Sequence, residues 1–98
     1  MSTKIIAISL NTGTPALRNA ITTAINGAGW PVWHWQDDFW LTQVPSEHTP
    51  KTIHEFLEAK KAVQQESIFL FEVGTPIAFW GREPEAAWEW LQHIGKPG

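Results

Sequence analysis

The chain has 98 residues, near the commonest size of a single domain, with seven basic against ten acidic residues and a formal charge of −3. That balance argues against the simplest nucleic-acid binder, which carries a basic stripe. The absence of cysteine excludes disulfide scaffolds, thiolate zinc sites and thiol catalysis together.

A chain of this length buries roughly two-thirds of the surface its unfolded form exposes, enough for a core without a staple. No apolar stretch approaches the roughly 20 residues of a membrane span. Residues 1–4 run into a strand-like segment with no basic leader and no small-residue cleavage site, so a cytoplasmic protein is expected. Seven Trp and five Phe supply much buried area, and each indole N–H wants a partner.

The run Lys4-Ile5-Ile6-Ala7-Ile8-Ser9-Leu10 is β-branched and bounded by Asn11 to Thr14, the pattern of a buried central strand. Thr14-Pro15 is an N-cap followed by proline in the first helical position. Leu17, Ala20, Ile21, Ala24 and Ile25 then form one apolar stripe, which Gly27 and Gly29 end. A hairpin follows, with strands at 32–35 and 39–44 and Gln36-Asp37-Asp38 as its turn.

Thr49-Pro50 repeats the helix start, with Ile53, Phe56, Leu57 and Val63 facing inward and Glu55, Glu58, Lys60 and Lys61 in water. Residues 67–73 make the next strand. After Gly74-Thr75-Pro76, Ile77 to Trp80 make a short fifth strand, and the proline suits an edge position. Glu83-Pro84 opens a last helix on Ala87, Trp90, Leu91 and Ile94, which Gly95-Lys96-Pro97 ends.

This order predicts one α+β domain over 1–98: a ferredoxin-like βαββαβ sandwich with an added C-terminal strand and helix. Both crossovers place their helices on one sheet face. The other face is also apolar: Ile5 and Ala7 alternate with Ile6, Ile8 and Leu10, and Phe69, Phe71 and Val73 with Ile68, Leu70 and Glu72. Monomers rarely expose an apolar patch above a few hundred Å², so the C-terminal elements or a second subunit must cover it.

His34, Asp37 and Asp38 form the cluster closest to a metal-ligand set. The plainer reading makes the aspartates turn formers and His34 a surface strand residue. Glu72 is an acid inside an apolar run, either a functional carboxylate or a salt bridge at a sheet edge. Neither Asn11-Thr12-Gly13 nor Gly27-Ala28-Gly29 has phosphate-loop spacing, and Ser9 has no triad partner in view. The four histidines are scattered, and the tryptophans read as core or interface rather than as base-stacking platforms, because clustered cations are missing. Neither a catalytic set nor a metal or cofactor site is expected.

The hairpin Gly29-Trp30-Pro31-Val32-Trp33-His34-Trp35-Gln36-Asp37-Asp38-Phe39-Trp40-Leu41, the strand Ser67 to Gly74 and Ala78-Phe79-Trp80-Gly81 together resemble a known family. It comprises small stand-alone relatives of the ferredoxin-fold subunit of the CRISPR adaptation complex, often labelled SinR-like. The resemblance implies a homodimer in which a C-terminal strand of each subunit extends the partner's sheet. Here that strand is Ile77 to Trp80, with Ile77, Phe79 and Trp80 at the interface. Members of the family that cleave nucleic acid carry an Asp just after the first strand. This chain has Asn11 there, a neutral and poorer ligand for Mg²⁺, which argues against cleavage.

The expectation is a non-enzymatic, dimeric interaction protein that binds nucleic acid weakly at best and has room for a further protein partner. The alternatives are a divalent-metal-dependent nuclease using Asn11, His34, Asp37 and Asp38, and a sensor holding a small molecule against the aromatic face.

Overall fold

The computed structural model describes residues 2–35, 38–74, 77–79 and 95–97, with backbone alone for 35, 77–79 and 95–97. In chain order the elements are β1 (Thr3–Leu10), α1 (Pro15–Gly27), β2 (Val32–Trp35), β3 (Phe39–Pro45), α2 (Pro50–Ala59), β4 (Ile68–Val73), β5 (Ile77–Phe79) and β6 (Gly95–Pro97). The fold is α+β, with an antiparallel four-stranded sheet ordered β2-β3-β1-β4 and two helices among the described residues, compatible with the expected ferredoxin-like sheet.

β1 sits between β3 and β4, and its two-residue period divides the core. Ile6, Ile8 and Leu10 pack with Ile21 and Ile25 of α1, Ile53 and Leu57 of α2, and Trp40 and Val44 of β3. Burying each of these large apolar side chains stabilises the fold by about 1.5–3 kcal/mol. Ile5 and Ala7 point the other way and form a smaller cluster with Leu41, against which Trp33, Phe39 and Val73 pack. Both helices contribute to the first cluster and neither to the second. Each helix joins two parallel strands across an intervening one, and right-handed crossovers of that kind put both helices on the same face.

Local chemistry starts the helices where expected. Thr14 is extended, and its hydroxyl accepts the Leu17 N–H at 3.1 Å. Thr49 accepts the Thr52 N–H at 3.2 Å while the Thr52 hydroxyl accepts the Thr49 N–H at 2.8 Å, a reciprocal box that satisfies two orphan donors. Pro15 and Pro50 occupy the first turns, where no N–H is needed.

Both helices end on the same left-handed turn. After α1, the N–H of Gly29 donates to the Asn26 carbonyl and that of Trp30 to the Ile25 carbonyl, with Gly29 at φ 79°. After α2, Lys61 donates to Glu58 and Ala62 to Leu57, with Lys61 at φ 60°. Val63, expected on the inward helix face, therefore reaches the core from beyond the helix end: α2 stops at Ala59 and the reversal at Lys61 turns the chain inward.

Buried polar groups are paired. The indole N–H of fully buried Trp40 donates to the Thr22 hydroxyl at 3.0 Å, and the Thr42 hydroxyl donates to the Pro31 carbonyl at 2.9 Å. Among the described residues no buried side-chain nitrogen or oxygen lacks a partner.

β5 occurs where expected, but its neighbour within the chain is β6, in a separate parallel two-stranded sheet. Residues 95–97 were expected to end a helix. Gly, Lys and Pro carry little strand signature, so this pairing has no local signal. The C-terminal helix expected from Glu83 onward, Trp80, Pro76 and Asp37 lie outside the described residues. Among the described residues no helix is long and apolar enough to cross a membrane.

Candidate functional site

The end of β1 brings three segments of the chain together. The Leu10 N–H donates to the Asp38 carbonyl at 2.8 Å, and the Asn11 N–H donates to the Ser67 carbonyl at 2.9 Å. β1 is thus tied on one side to the hairpin turn and on the other to the start of β4. Asn11 is exposed there, and Asp38, at the turn, is half-buried.

The Asp38 carboxylate is engaged. Arg18, one turn into α1, donates its Nε to Oδ1 at 3.0 Å and its Nη2 to the Gly13 carbonyl at 3.2 Å. The two side chains are 24% and 30% exposed, so the pair is partly screened from water. Gly13 leaves room for it. A Cβ there would collide with Asp38 Oδ1 and lie 2.8 Å from Leu10 Cδ2. A guanidinium on Oδ1 already gives this carboxylate a counter-charge, so a divalent cation at Asp38 would sit beside Arg18 or compete with it for Oδ1.

Of the other expected ligands, Asn11 lies at this end of β1 through its backbone, and Asp37 lies outside the described residues. His34 is exposed on β2, on the helix-bearing face, where its ring stacks on Trp40 at 4.5 Å and 9°. Among the described residues no group of three or more His, Asp or Glu side chains could hold a metal ion. Glu72 takes its plainer reading: half exposed on edge strand β4, it pairs with Lys4 at 3.2 Å. His48, one of the four scattered histidines, is half-buried. Its Nδ1 lies 3.1 Å from the Thr52 hydroxyl, and its ring meets Trp30 edge-on at 5.1 Å, which in turn packs on Phe56 at 4.8 Å.

The opposite sheet face is the second apolar face expected to need a cover, and Phe69 and Phe71 are exposed on it. Phe69 is 65% exposed and Phe71 37%, with ring centroids 5.5 Å apart. They lie on β4, level with Ser9 and Ala7 on the face away from α1 and α2. Among the described residues β4 has β1 as its one hydrogen-bonded neighbour in the four-stranded sheet, which places it at the edge of that sheet. Ile68–Val73 contains no Lys and no Pro, and Glu72 is its one charged side chain. Ile77 and Phe79, expected at a subunit interface, lie in β5 just downstream, paired with β6, while Trp80 is outside the described residues.

No protein-family model, no curated protein and no solved structure matches the chain.

Proposed function

We propose that this chain is a homodimeric protein-interaction module on a ferredoxin-like fold, cytoplasmic and not an enzyme, of the kind implied by its resemblance to stand-alone relatives of the CRISPR adaptation subunit. The strand order β2-β3-β1-β4 with both helices on one face supports the ferredoxin-like assignment. The observation that carries the functional reading is the exposed Phe69–Phe71 pair on β4, at the edge of the described four-stranded sheet. Adjacent exposed aromatic rings mark a candidate interaction surface, and Phe is among the aromatic residues enriched at interface cores.

The engaged state of Asp38 favours this reading over a metal-dependent nuclease, because the carboxylate at the end of β1 already has Arg18 as its counter-ion. Lys4 and Arg18 both face carboxylates, which leaves less charge for phosphates, so oligonucleotide binding belongs to the non-specific range of roughly 10⁻⁴ to 10⁻⁶ M at physiological salt.

The test is a light-scattering mass of the purified chain at micromolar concentration, paired with incubation of single- and double-stranded oligonucleotides in Mg²⁺ or Mn²⁺. A mass of two chains and intact oligonucleotides are expected. Cleavage that Asp38→Ala abolishes would overturn the non-enzymatic reading and restore the nuclease.

A further inference from the structure

We draw no further inference here: the strongest candidate, the groove along the outer face of α1 from Ala16 to Gly27 with Lys60 beside it, is a stripe of small residues with no buried polar side chain aimed into it, and nothing in the structure shows what covers it.

Discussion

Lys61 holds, at the end of α2, the left-handed position that Gly29 holds at the end of α1. The hydrogen bonds around the two are equivalent: each residue donates three positions back, and the next residue donates five back. A side chain in that conformation costs roughly 1–2 kcal/mol, while glycine adds unfolded-state entropy that destabilises by roughly 0.4–1 kcal/mol. Lys61→Gly is therefore expected to stabilise the fold by about 0.5–1 kcal/mol. Gly29→Ala, with open space around its Cβ but φ at 79°, is expected to destabilise by about 1 kcal/mol. Urea unfolding should show opposite shifts in midpoint with unchanged slope. A destabilising Lys61→Gly would mean that the lysine side chain supplies a compensating interaction.

The Arg18–Asp38 pair should behave as one unit. Arg18→Met leaves a partly buried carboxylate without its donor and the Gly13 carbonyl without its Nη2 bond, a loss of about 1–2 kcal/mol for charge-assisted bonds at this exposure. Asp38→Asn should cost less, because an amide oxygen can still accept. In a double-mutant cycle the two losses should be non-additive by about 1 kcal/mol. Additive losses would show that the pair does not form in solution. Gly13→Ala should be the most damaging change here, at about 1–3 kcal/mol, since its Cβ meets both Asp38 and Leu10.

Much of the fold was legible because its signals are local. Thr14-Pro15 and Thr49-Pro50 mark helix starts by hydrogen-bonding chemistry that needs nothing beyond four residues. The alternation in residues 5–10 records which side chains enter each core cluster. The candidate site was less legible because its contacts span the sequence. Arg18 and Asp38 are twenty positions apart, and no spacing rule joins a helix residue to a hairpin turn. Phe69 and Ile8 sit in equally apolar runs, yet Ile8 is buried and Phe69 exposed. The crossovers put β1 at the centre of the sheet and β4 at its edge, and strand composition does not carry that information. Lys61 gave no warning because a left-handed cap is usually glycine.

Trp40 is the largest fully buried side chain among the described residues, and its indole N–H donates to Thr22. Thr22→Val keeps the volume close but removes the acceptor, leaving a buried donor unpaired at a cost of about 1–3 kcal/mol. Trp40→Phe removes the donor and opens a void instead. Combining the two should cost less than the sum, because the phenyl ring no longer needs the hydroxyl. Chemical denaturation of the three variants checks this. A neutral Thr22→Val would indicate that another acceptor or water replaces the hydroxyl.

The Phe69–Phe71 pair offers the most direct test of the proposed dimer. Phe69 is 65% exposed in the single chain, so replacing it should change monomer stability by no more than about 0.5 kcal/mol. If the pair instead lies at the centre of an interface of standard size, burying on the order of 1,600 Å² in total, truncating one anchor should weaken association by about 2 kcal/mol or more. That corresponds to roughly a thirtyfold rise in Kd. Phe69→Lys should therefore give a folded protein, judged by circular dichroism, whose light-scattering mass falls to one chain at concentrations where the wild type is two. Glu55→Ala, on an exposed position of α2, should leave the dimer intact. The contrasting pair Phe79→Ser with Trp80→Lys separates two ways of building the dimer. If exchange of the C-terminal strand holds the subunits together, that double variant dissociates them and Phe69→Lys does not. If the β4 edge and its phenyl rings are the contact, the ranking reverses. A wild-type mass of one chain across the whole concentration range would end the dimer reading altogether.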